Sequence, residues 1–160
     1  TFMIRRLPPF HANIQKRLTK SPKVYLRDTG LLHFLAGLRR PAELETWARR
    51  GASFEGLVIE ELAAQAAARL VRPEVFFWRT LAGAEVDLLL VSGRRILPIE
   101  IKLGAAVDHH AVAGLRQCMK DLDLKRGWVV CTANERRPLG HGIEIVPWAE
   151  IAAGNVDFGW

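Results

Sequence analysis

Asp87, Glu100 and Lys102 are residue types suited to metal-assisted phosphodiester chemistry, and they interrupt two adjoining apolar runs, 85–91 and 96–102. If Gly93-Arg94 is the centre of a hairpin turn, Ser92 faces Arg95 and Val91 faces Ile96. Carried down the hairpin, that register sets Asp87 opposite Glu100 and Glu85 opposite Lys102. Period-two alternation then puts all four side chains on one face, and Val86, Leu88, Leu90, Ile99, Ile101 and Leu103 on the other as a core layer. Opposed carboxylates at roughly 5 Å between Cβ atoms repel unless a cation sits between them. Oxygen ligands favour a hard ion, Mg²⁺ or Mn²⁺. Lys102 would hold an attacking water or steady charge on a phosphate. The alternative is a solvated sheet face on which Lys102 simply balances the acids.

Other residues carry weaker signals. Glu85 is either an auxiliary ligand or the ion-pair partner of Lys102. Trp78 and Arg79 could stack on and clamp nucleic acid, or form the edge of a core. Lys16, Arg17, Lys20 and Lys23 are candidate phosphate contacts, or contacts to an attached module. His109 and His110 have no partner at metal-ligand spacing and read as helix-cap residues. Cys118 and Cys131 show neither Cys-x-x-Cys nor zinc-type spacing, which reads as buried packing in a reducing, cytoplasmic setting.

The elements that must position these residues follow from periodicity. Residues 1–20 read as irregular, 23–27 as a strand, and Asp28 as the cap of a short helix reaching Leu38. Phe54, Leu57, Val58, Leu62, Ala66 and Leu70 recur at helical spacing, so a helix is expected over 53–71, ended by Pro73. Extended runs follow at 75–79, 85–91 and 96–102, forming two antiparallel hairpins. Helical spacing returns over 106–123, and strands are expected at 128–132 and 143–146. A strand joined to a later one through a helix is a crossover, so the class is α/β with a mixed sheet covered by helices.

The 160 residues suffice for one main core. The apolar runs fall well short of a membrane-spanning helix; the opening Thr1–Arg6 lacks the features of a secretory signal and has no initiator methionine, so the chain reads as an excised fragment. Its net charge of +6 is unevenly placed: residues 1–50 carry eleven Lys/Arg against three Asp/Glu, whereas 51–160 carry twelve against fourteen. That basic first third could track phosphates or be solvated surface in a larger protein.

Phe54-Glu55, Phe77-Trp78-Arg79, Glu85-Val86-Asp87 and Pro98-Ile99-Glu100-Ile101-Lys102 together resemble the PD-(D/E)XK nuclease superfamily. More closely, they resemble the C-terminal DUF4143 domain of AAA+-type ATPases. Leu7-Pro8-Pro9-Phe10, the run 16–25 and Asp28-Thr29-Gly30-Leu31 are similar to the segment that joins a winged-helix region to that domain. The resemblance implies a restriction-endonuclease-like αβββαβ core over 51–160, a basic connecting segment over 1–50, and an ATPase module outside this chain. It implies Glu55, Asp87 and Glu100 as metal ligands and Lys102 as the catalytic lysine. Val86 replaces the usual Pro. Gln117 stands where some relatives carry Gln-x-x-x-Tyr, with Asp121 at the Tyr position, and is a candidate phosphate contact. No G-x-x-x-x-G-K-[ST] occurs, so ATP belongs only to the absent module. The implied partners are nucleic acid, DNA above all, and that ATPase module, without a membrane; the alternative is an inactive module of the same fold for nucleic-acid binding or assembly.

Overall fold

The computed structural model describes residues 2–10, 21–107, 111–154 and 156–160. Its elements run β1 (Ile4–Leu7), β2 (Lys23–Leu26), α1 (Thr29–Leu35), α2 (Pro41–Thr46), α3 (Arg50–Arg69), β3 (Glu74–Arg79), β4 (Glu85–Ser92) and β5 (Arg95–Lys102). They continue with α4 (Ala113–Asp121), β6 (Gly127–Cys131), β7 (Arg137–Gly140), β8 (Ile143–Pro147) and α5 (Trp148–Ala152). A six-stranded mixed sheet has the order β3-β4-β5-β6-β8-β7, and β1-β2 is a separate antiparallel ribbon. β5, β6 and β8 are parallel; the other pairings are antiparallel. The α/β class and helix-flanked mixed sheet expected from the sequence are therefore present.

Helix α3 lies on one face. Its Val58, Ile59, Leu62 and Ala66 pack with Leu88, Leu90, Leu97, Ile99 and Ile101 of the sheet. On the other face Leu115, Cys118 and Met119 of α4 meet Val86, Leu89, Val129 and Ile145. All five residues of β6 are buried, as a parallel strand covered on both faces requires. Both cysteines are free and buried. Gly114 lets α4 approach closely: a Cβ there would stand 2.3 Å from the Glu85 carbonyl oxygen.

The expected single core layer on the hairpin needs correction. Phe76 pairs with Leu89, but Trp78 pairs with Val86, so β4 gains one residue in a bulge around Asp87 and Leu88. The bulge reverses the alternation, sending Val86 to the α4 side while Leu88 and Leu90 stay beneath α3. Leu103 lies beyond β5 and is exposed.

Two boundaries also differ from expectation. Residues 4–7, read as irregular, form β1 against β2, and Leu7 is fully buried. The helix expected from residue 106 begins only at Ala113; the chain after β5 is instead tied to β6 by the Thr132 N–H, which donates to the Gly104 carbonyl at 3.2 Å. Lys16, Arg17, Lys20, His109 and His110 lie outside the described residues.

Candidate metal centre

The hairpin register inferred from the turn holds for five successive pairs, from Ser92↔Arg95 to Leu88↔Ile99. It stops one residue short of Asp87 and Glu100. There β5 stays with β6 through Lys102↔Cys131, while β4 turns away at its bulge, so the two strands fork. The Asp87 side chain bridges the opening: the Ile101 backbone N–H donates to its Oδ2 at 2.9 Å. A backbone donor left unpaired by the fork is thereby satisfied.

Glu100 lies at the same fork and is 7% exposed. Its Oε1 accepts from the Lys102 ammonium at 2.6 Å, while Oε2 is buried without a hydrogen-bond partner among the described residues. Burial, then the neighbouring Asp87 carboxylate, pushes the Glu100 pKa up to about 7 against the pull of Lys102. Asp87 is also raised, by burial and then by the charge of Glu55. Lys102 keeps a raised pKa: burial would lower it, but the bond to Glu100 prevails.

Glu55 projects from α3 towards the ribbon. The Tyr25 hydroxyl donates to its Oε1, and the Lys23 ammonium lies 2.9 Å from the same oxygen. Lys23 also reaches Glu85 Oε1 at 2.6 Å and Asp87 Oδ1 at 3.4 Å. Burial works against its charge, yet Asp87, Glu55 and Glu85 leave its pKa raised. Read from the sequence as a candidate phosphate contact or a contact to an attached module, Lys23 is turned into the acidic cluster.

The expected pairing of Glu85 with Lys102 is replaced by a different one. The bulge directs Glu85 to Lys23 and Arg79, and Lys102 turns to Glu100. Arg79 also lies over the Phe77 ring, with its guanidinium 5.7 Å from the centroid. Trp78 is a core residue rather than a stacking platform, being 7% exposed among the α4-side side chains. Gln117 is exposed on α4 and donates to Asp121 at 2.7 Å.

The ribbon that delivers Lys23 is fastened to α3 at a second point. Glu60 accepts from Arg5 and from Arg27, the latter at 2.8 Å. Between the two anchors Gly56 makes room for Tyr25, since a Cβ there would lie 3.2 Å from the ring. Sequence reasoning missed Lys23 and Tyr25 as part of this cluster. Alternation puts both on one face of β2, but nothing in the local pattern shows that this face meets Glu55.

The donor chemistry suits a hard cation: three clustered carboxyls, two with raised pKa values, and one orphaned buried oxygen. Among the described residues, however, no group of three or more His, Cys, Asp or Glu side chains is already arranged to hold a metal ion. Lys23 supplies positive charge at Glu55, Glu85 and Asp87.

Residues 50–151 match a family described as a domain of unknown function (DUF4143), and residues 1–42 match a second, also described as a domain of unknown function (DUF8612). Uncharacterized proteins of Mycobacterium tuberculosis and Mycobacterium bovis are each 39% identical over 157 residues, covering 97% of this chain. The chain spans 34% of the length of each relative.

Proposed function

The chain belongs to the DUF4143 family, and from that premise we propose that its forked strands carry a divalent-metal-dependent nuclease site of the PD-(D/E)XK kind. The observation that carries the reading is the fork itself. Asp87 and Glu100 meet where β4 and β5 part, each with a raised pKa, and Glu100 keeps a buried oxygen without a partner. Glu55, Asp87 and Glu100 would hold Mg²⁺ or Mn²⁺, and the bound ion would polarise a phosphate and neutralise the charge that builds on it. Lys102, 41% exposed while bonded to Glu100, can orient water or steady a phosphate oxygen without leaving the fork. Glu100 must be ionised to serve as a ligand, so below about pH 7 a proton on it competes with the ion.

The substrate proposed is DNA. The enzyme would belong to a larger cytoplasmic protein that also carries an AAA+-type ATPase module. The two free cysteines support a reducing, cytoplasmic location. A second reading, an inactive module of the same fold, draws on the position of Lys23, which holds Glu55 and Asp87 as an ion-pair partner. Incubation of the intact protein with plasmid and branched DNA in Mg²⁺ or Mn²⁺ separates the two. Metal-dependent cleavage that is lost in Lys102→Ala is expected; no cleavage under any of these conditions would remove the nuclease reading.

A further inference from the structure

Lys23 is the one cation that touches three carboxylates of the acidic cluster among the described residues. Its contacts run to Glu55 on α3 and to Glu85 and Asp87 on β4, at 2.9, 2.6 and 3.4 Å. Its side chain is only 20% exposed. Oxygens gathered around a single positive centre are also what a divalent ion needs, although Mg²⁺ would draw them in to about 2.1 Å. Glu55 and Asp87 are therefore asked to serve two cations. Both cannot be served at once by the same oxygens: Lys23 occupies Glu55 Oε1 and Asp87 Oδ1 while Asp87 Oδ2 is taken by the Ile101 N–H, whereas Glu100, beside Lys102, keeps Oε2 free among the described residues.

Lys23 is well placed to leave. It is the first residue of β2, and its own tether is a flexible four-carbon stem. The strand behind it stays anchored through Tyr25 on Glu55 and Arg27 on Glu60. The ammonium can swing out while the ribbon keeps its place on α3.

We infer that Lys23 is a resident counter-cation competing with a divalent metal ion for Glu55 and Asp87, so that metal enters the fork as the Lys23 ammonium withdraws. The inference rests on the reading of the fork as a metal site. It makes the N-terminal ribbon a brake on that site, because the plug and the ligands come from different parts of the chain. It also reconciles ligand-type residues with the lack of a ready-made metal geometry among the described residues.

Calorimetric titration of the intact protein with Mn²⁺ tests the competition. Lys23→Met, which removes the charge but keeps an unbranched stem, should bind Mn²⁺ at least tenfold more tightly than wild type and gain more in Tm from the ion. Lys23→Arg should behave like wild type, and adding Asp87→Asn to Lys23→Met should erase the gain. A measurement on the unaltered protein guards against a misfolded variant: saturating Mn²⁺ should raise the acetylation rate of Lys23 severalfold. Equal, measurable affinity in wild type and Lys23→Met, or acetylation unmoved by bound Mn²⁺, would overturn the competition and leave the metal reading standing. Failure of both proteins to bind Mn²⁺ would overturn both.

Discussion

The carboxylate of Asp87 accepts the backbone N–H of Ile101 at 2.9 Å, across the point where β4 and β5 separate. One oxygen therefore completes the sheet, while the other, Oδ1, faces Lys23. Structure and site share a side chain. A substitution at Asp87 must be chosen so that the two roles can be told apart.

Asp87→Asn retains an amide oxygen that can accept from Ile101 but removes the negative charge. The fork should survive, with the variant folded and its stability within about 1 kcal/mol of wild type. Loss of a like charge favours ionisation of Glu100, so the Glu100 pKa should fall from about 7 towards the ordinary carboxylate range. Carboxyl-carbon NMR titration reads the change directly. A Glu100 midpoint that does not move would mean that burial alone raises it.

Glu100 also makes stability depend on pH. Its folded-state pKa is raised from 4.5 to about 7, so the folded protein binds the proton more tightly than the unfolded chain. The contribution is fully present below about pH 4.5 and is lost as pH rises through about 7. Glu100→Gln should remove this slope and be more stable than wild type at pH 8, by about 2 kcal/mol. Urea unfolding of both proteins at pH 5 and pH 8 checks the sign; a variant less stable at pH 8 would show that Lys102 gains more from the ionised Glu100 than burial costs.

The hairpin register was legible in the sequence because Gly93-Arg94 fixes the turn and Ser92 to Leu88 then pair by simple counting. The helix carrying Glu55 was legible because its apolar residues recur at helical spacing. The bulge was not, since an apolar run such as Val86-Asp87-Leu88-Leu89-Leu90 looks the same with or without one extra residue. That residue moves Val86 to the α4 side and turns Glu85 towards Lys23. The role of Lys23 was hidden for a second reason: it is 32 residues from Glu55 and 64 from Asp87, and docking of the ribbon is a tertiary event without a local signature.

Glu60 should hold the ribbon to α3. It accepts from both Arg5 and Arg27, and its pKa is lowered because those bonds outweigh the effect of burial. Glu60→Ala should cost about 1–2 kcal/mol. It should also speed amide exchange in 4–7 and 23–26 far more than in β5 or β6. Uniform acceleration across the sheet would show that the ribbon and the core open together.

The approach of α4 to the start of β4 depends on Gly114. A Cβ at this position would meet the Glu85 carbonyl oxygen at 2.3 Å, a backbone atom that cannot rotate aside. Gly114→Ala must displace α4 or the strand that carries Glu85 and Asp87, at a cost of about 2–3 kcal/mol. Gly56→Ala is the comparison, because its new methyl would meet the Tyr25 ring at 3.2 Å, a contact that small side-chain shifts can relieve. Ala also favours the helical backbone. Gly56→Ala should therefore lie within about 1 kcal/mol of wild type, whereas Gly114→Ala should fall well below it in urea unfolding. Equal stability of the two variants would show that α4 can move away from Glu85 freely, and that the fork is not braced by this helix.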